Sequence, residues 1–172
     1  MNTSIVLTVI ADDEPGVVQA ISRVLKQHGG SWTQSSMSSL AGQFAGILLA
    51  SVPEDRSDAC LDQLHKLESG GLHVITRTCD ETRKTEETRE YNLGLVGNDR
   101  PGIVHDIMTL LKKHNVNVHN LETLVESVPM GGGELFKAKA LLVVPRSADI
   151  DALESELEDM ANELMVDIHL EK

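Results

Sequence analysis

The chain has 172 residues, with 27 acidic and 15 basic side chains and a formal net charge of −12. Hydrophobic residues make up 41 % and charged residues 24 %, a globular balance that excludes a disordered chain. The acidic excess repels phosphate backbones and no basic patch offsets it, so direct nucleic-acid binding is not expected. Only four aromatics are present (Trp32, Phe44, Tyr91 and Phe136), too few for a base-stacking platform.

The N-terminus has no basic region and no cleavage site, so no secretory signal is expected. The longest apolar runs, near 45–50 and 140–144, fall far short of a membrane span. Two cysteines, Cys60 and Cys79, suggest no disulfide framework and make a reducing, cytoplasmic location the expectation.

Residues 5–10 form a short apolar-rich run of strand length. The Asp13-Glu14-Pro15-Gly16 sequence then breaks the strand. Asp13 is expected to cap the helix that follows, with Pro15 in its first turn, where a missing N–H does no harm. Val17, Val18, Ile21, Val24 and Leu25 fall on one helical face, and Gly29 ends the helix in the left-handed conformation. Strands are expected near 32–40 and 43–52, with Pro53 stopping the second. A second helix carries Leu61, Leu64 and Leu67, and a last strand alternates Leu72, Val74 and Thr76.

The pattern then returns. Asp99-Arg100-Pro101-Gly102-Ile103-Val104 repeats the first motif 86 positions later, and Ile107, Leu111 and His114 continue the match to Ile21, Leu25 and His28. Asp99 is again the expected cap and Asn115 the expected helix end. Beyond this the offset becomes 92, pairing Phe44 with Phe136 and Pro53 with Pro145. The six extra residues fall around Pro129-Met130-Gly131-Gly132-Gly133, composition that belongs in a turn. Strands are expected at 91–96, 117–128 and 134–144, a helix through Leu153, Leu157 and Met160, and a last strand through Leu164, Val166, Ile168 and Leu170.

The order β-α-β-β-α-β, twice, is that of an α+β chain with two tandem ferredoxin-like units, each an antiparallel sheet with both helices on one face. A duplication of this length means two domains: residues 1–79, a charged linker at 80–90, and residues 91–172. Each sheet then has an uncovered side, and pairing of the two copies edge to edge or face to face would cover it.

A unit with Asp-x-Pro-Gly-(Val/Ile)-Val between first strand and first helix resembles the ACT domain family of small-molecule regulatory modules. Residues 11–18, 37–46 and 97–104, in a chain that is little more than two such units, resemble more closely the glycine cleavage system transcriptional repressors; the segment around Phe44 points to that group. The resemblance implies a non-enzymatic regulator that responds to glycine or a similar amino acid. It would bind a DNA-binding transcription activator rather than DNA, and so repress glycine cleavage genes. A regulatory subunit of an amino-acid metabolic enzyme is the alternative. Homo-oligomerisation is left open, and no membrane partner is implied.

The resemblance also implies a ligand held between the first loop of one unit and the second strand of its neighbour. Carried onto this sequence, the loop residues are Asp12, Asp13, Pro15, Gly16 and Val17, then Asn98, Asp99, Pro101, Gly102 and Ile103. The strand residues are Ser31 and Gln34, then Asn117 and Asn120. The chemistry is reasonable: helix N–H groups favour a carboxylate, glycine permits close approach, and an aspartate can take an ammonium group. Asp13 and Asp99 equally fit a purely capping role, worth about 1 kcal/mol each. The second loop carries less negative charge to repel a carboxylate and is the first choice.

Elsewhere the residues read structurally. His28 and His114 sit in last turns, where the helix dipole favours a cation. The histidines and cysteines lack zinc-ligand spacing, and no metal or cofactor is expected. Gly131-Gly132-Gly133 precedes Glu134 rather than a Lys-Ser or Lys-Thr pair, so it is no phosphate loop. Trp32 is expected to fill a core or interface. No nucleophile–base set or paired carboxylates stand out, so no catalysis is expected.

Overall fold

The computed structural model describes residues 1–79, 87–128 and 133–172. The chain divides into two units, Met1–Arg83 and Lys84–Lys172. The first contains β1 (Asn2–Asp12), α1 (Val17–Gln27), β2 (Ser31–Leu40), β3 (Gln43–Pro53), α2 (Ser57–His65) and β4 (His73–Cys79). The second contains β5 (Thr88–Asn98), α3 (Ile103–Lys113), β6 (Asn117–Ser127), β7 (Glu134–Pro145), α4 (Ile150–Leu164) and β8 (Val166–Glu171). The sheet orders are β2-β3-β1-β4 and β6-β7-β5-β8, antiparallel throughout. This is the expected pair of ferredoxin-like units.

Strand alternation separates two faces. Along β1, Ile5, Leu7, Val9 and Ala11 are buried, and along β3 so are Leu48, Ala50 and Val52. Ile21, Val24 and Leu25 of α1, with Cys60 and Leu64 of α2, pack on that side. In the second unit Leu93, Leu95, Leu142 and Val144 of the sheet meet Ile107, Leu111, Leu153 and Leu157 of the helices. Burying one such leucine or isoleucine contributes about 1.5–3 kcal/mol, so each unit has a core able to order its own backbone. Trp32 packs against the first core, and burial pushes the Cys60 thiol upward in pKa, consistent with a small core hydrophobe.

Several expectations are corrected. Val18 is 44 % exposed, because the buried stripe of α1 is narrower than its apolar spacing suggests. Leu67 lies in a 3-10 turn, Lys66–Gly70, after α2 has ended. Leu72 precedes β4, and Leu164 closes α4 rather than opening β8; Met165, with φ 53°, makes that reversal. Thr88, Arg89 and Glu90 of the expected linker are strand residues, while its residues 80–86 lie outside the described residues. The extra hairpin residues 129–132 also lie outside them; Gly133 closes that hairpin by accepting the Val128 N–H. Gly29 and Asn115 do adopt positive φ, 69° and 56°, and end α1 and α3.

His28 Nε2 lies 2.7 Å from the Gln63 side-chain oxygen, tying α1 to α2. At the matching place, His114 Nε2 is buried 3.3 Å from Glu156 but off the hydrogen-bond direction. Lys113 donates to the other oxygen of Glu156 at 2.6 Å and, as the largest influence, holds that carboxyl below the usual glutamate range. A lowered folded-state pKa adds stability above the unfolded value, and that share is lost as pH falls through the folded value. In the Lys113→Met variant the Glu156 midpoint, followed by side-chain carboxyl NMR, is expected to rise toward the ordinary glutamate value.

Candidate functional site

Both strand-to-helix loops are held by the hairpin beside them. Asp13 N–H donates to the Gly42 carbonyl at 3.0 Å, and Asp99 N–H donates to the Glu134 carbonyl at 2.9 Å. The Glu14 N–H turns back onto the Asp12 carbonyl. Gly16 and Gly102 then take φ of 107° and 90° and form the N-caps of α1 and α3. No side chain caps either helix. The capping role expected of Asp13 and Asp99 is therefore not what the structure contains. The Pro-Gly turn inserts residues between each aspartate and its helix, and Pro15 and Pro101 precede the cap instead of occupying the first helical turn.

The two aspartates differ in their partners. Asp13 Oδ2 accepts the Ser39 hydroxyl at 2.5 Å, and Asp12 Oδ1 accepts from the Gln43 amide at 2.7 Å. Ser39 and Gln43 were not among the sequence candidates, because their nearness follows from the β2–β3 hairpin register. The exposed Asp99 carboxylate has no hydrogen-bond or ion-pair partner among the described residues. Arg100, in place of Glu14, reaches to Asp106 in the first turn of α3, 2.6 Å away, so its positive charge is locally matched. Ile103 is buried and Val17 half-buried, so each loop is fastened to its core just beyond the glycine.

Shallow depressions border these loops. One of about 260 Å³ is lined by Asp12, Pro15, Gly16, Leu67 and Leu72. Another, of about 430 Å³, borders the second loop at Gly97, Asn98, Met165 and Asp167. What the loops offer chemically is a pair of bare helix N-termini for an anion, with an aspartate beside each for a cation.

The expected strand residues stand elsewhere in their own unit. Asn98 pairs with Leu135, whereas Asn117 pairs with Val143, far along the same strand. At about 3.3 Å per residue that is on the order of 26 Å. Asp12 likewise pairs with Gln43 while Ser31 pairs with Ser51. Loop and strand candidates are thus not brought together within either unit. Gln34 and Asn120 each follow a bulge at the same place in the repeat and project from the sheet face away from the helices, opposite Leu49 and Leu141.

A Cβ added at Gly102 meets nothing within 4 Å, so a substitution there tests backbone conformation alone. Gly102→Ala is expected to cost about 1–2 kcal/mol through its positive φ. Gly102→Asn is expected to cost less, since asparagine tolerates that region. Denaturant unfolding of both variants measures the difference.

The ACT domain family profile matches residues 3–74 and again 93–171. An unknown protein from Galdieria sulphuraria has a crystal structure that superposes with a TM-score of 0.89 at 29 % identity, covering 99 % of this chain and 98 % of that one. A second crystal structure carries the provisional name glycine cleavage system transcriptional repressor. It superposes with a TM-score of 0.70 at 15 % identity, covering 99 % of this chain and 96 % of that one. No curated protein is significantly similar in sequence. With the profile spanning both repeats of β-α-β-β-α-β and both Asp-x-Pro-Gly loops, the chain belongs to the ACT domain family.

Proposed function

We propose that this chain is an amino-acid-responsive regulator with glycine as its foremost ligand. It acts by contact with a DNA-binding transcription activator and so represses glycine cleavage genes. The observation that carries the ligand reading is the second loop: a helix N-terminus without a side-chain cap, beside an exposed Asp99 carboxylate that has no partner among the described residues. A glycine carboxylate would accept from the Val104 and His105 N–H groups in the first turn of α3, the Ile103 N–H already donating to the Arg100 carbonyl, and its ammonium group would donate to Asp99. The first loop is the weaker site, because Asp13 is occupied by Ser39 and three acidic residues in a row repel a carboxylate.

A protein partner suits the charge, since a net −12 repels DNA but not a basic patch on an activator. The likeness to the provisionally named repressor supports the fold, and the choice of genes rests on the motif resemblance. Fold and charge fit equally a regulatory subunit of a biosynthetic enzyme. Which protein co-purifies with the chain decides between the two.

Calorimetric titration with glycine, then with serine, alanine and larger amino acids, tests the ligand. Saturable glycine binding is expected, weakened about 10- to 100-fold in Asp99→Ala, the range of a lost hydrogen bond to a charged group. Absence of binding by every amino acid would contradict the sensor reading for the chain alone.

A further inference from the structure

On the sheet face turned away from its helices, the second unit carries a cluster of charged and amide side chains that the loop site does not use. The strand register builds it from two adjacent rows. Glu122, Lys139, Gly94 and His169 run across β6, β7, β5 and β8 in one row. Asn120, Leu141, Asn92 and Glu171 run across the same strands in the next. Apolar Val96 and Leu124 border these rows on one side and Val143 on the other. The two rows surround a depression of about 390 Å³.

Gly94 is its floor. A Cβ there would overlap the His169 ring, so the glycine lets the imidazole lie over the backbone of β5, on the side of Lys139. Lys139 stands directly opposite Glu122, yet the two form no ion pair, whereas Lys137 on the same strand is bonded to Glu126. Among the described residues, Lys139, His169, Asn92 and Glu171 have no hydrogen-bond or ion-pair partner. Glu122 accepts from Asn120 alone, at 3.5 Å. Donors and acceptors thus converge on one depression with their bonds unmade. The first unit has no counterpart, since Ser36, Ile47, Thr8 and Ile75 fill the row of Glu122, Lys139, Gly94 and His169.

We propose that this depression binds a basic amino acid, a zwitterion with a cationic side chain of the lysine, ornithine or arginine kind. Charge sets the class. The carboxylates of Glu122 and Glu171 outnumber the Lys139 ammonium group, and a ligand of net positive charge neutralises the surplus. The ligand carboxylate would accept from Lys139 and from a His169 ring N–H above Gly94. Its two cationic groups would donate to Glu122 and Glu171. These stand three strand spacings apart, roughly 14 Å across the sheet before their side chains shorten the gap. The methylene stem would lie against Leu141. A simple anion would meet the surplus carboxylates, and a simple diamine would leave Lys139 unmatched. The net charge of −12 draws a cationic ligand to the chain. Gly94 lies about 13 Å along β5 from Asn98, so this site is separate from the loop at Asp99.

Calorimetric titration of the full chain with L-lysine, L-ornithine and L-arginine tests the proposal. It is run on the wild type and on Asp99→Ala, which removes any share bound at the loop. Saturable binding of at least one of the three is expected in both. Norleucine, without the side-chain cation, and cadaverine, without the carboxylate, are each expected to bind at least about 10-fold more weakly than lysine. Lys139→Met and, separately, Glu171→Gln are expected to weaken the basic amino acid about 10- to 100-fold. Both positions are exposed, and an unchanged circular dichroism melt verifies the fold. No binding of a basic amino acid in Asp99→Ala would overturn the proposal. So would norleucine or cadaverine binding as tightly as lysine, or binding indifferent to both Lys139→Met and Glu171→Gln. Each of these outcomes leaves glycine binding at Asp99 undisturbed, so the two sites stand or fall separately.

Discussion

A single backbone hydrogen bond, from the aspartate of each Asp-x-Pro-Gly motif to the neighbouring hairpin, fixes how the chain leaves its first strand. Asp13 N–H to the Gly42 carbonyl and Asp99 N–H to the Glu134 carbonyl pin the loop at the end of the sheet. Proline then restricts the turn and glycine takes the left-handed conformation that an alanine would pay to enter. The helix begins immediately afterwards, with Ile21 or Ile107 aimed at the sheet. Core packing and the bare helix N-terminus both follow from this one geometry. A conventional side-chain cap would have filled the N-terminus and left nothing for a carboxylate to meet.

Duplication preserved that backbone while the side chains diverged. Even the bulges in β2 and β6 recur at equivalent places, after Trp32 and after Val118. The loops, however, now read Asp12-Asp13-Glu14 and Asn98-Asp99-Arg100, and on the open sheet faces Lys139 and His169 stand where Ile47 and Ile75 stand in the first unit. Burial constrains the helix-facing residues of both copies alike. The loop and the open face carry no such constraint from folding, so each unit is free to specialise there.

Much of this was legible in the sequence because it depends on period and composition. The short apolar-rich runs at 5–10 and 91–96 give the central strands, and the spacing of Ile21, Val24 and Leu25 gives the buried helix stripe. Gly29 and Asn115 mark helix ends because few residues adopt positive φ. What failed was what depends on three-dimensional neighbours. Asp13 looks like a cap by sequence distance, but the turn aims its carboxylate at Ser39, 26 positions away. Arg100 and Asp106, six apart, match no helical spacing, since one lies in the loop and the other in the helix. Ile10, Ile47 and Ile75 look unremarkable in three separate segments and come onto one sheet face only through the register, Ile47 and Ile75 flanking Thr8 and Ile10 one row on.

The central claim is that an amino acid is held at the bare N-terminus of α3. Amide NMR of the full chain, titrated with glycine, tests it most directly. The account predicts saturable shifts centred on the N–H groups of residues 102–105 and on Asp99, with the equivalent groups of α1 moving less. Saturable shifts centred elsewhere, with residues 99–105 unmoved, would contradict it.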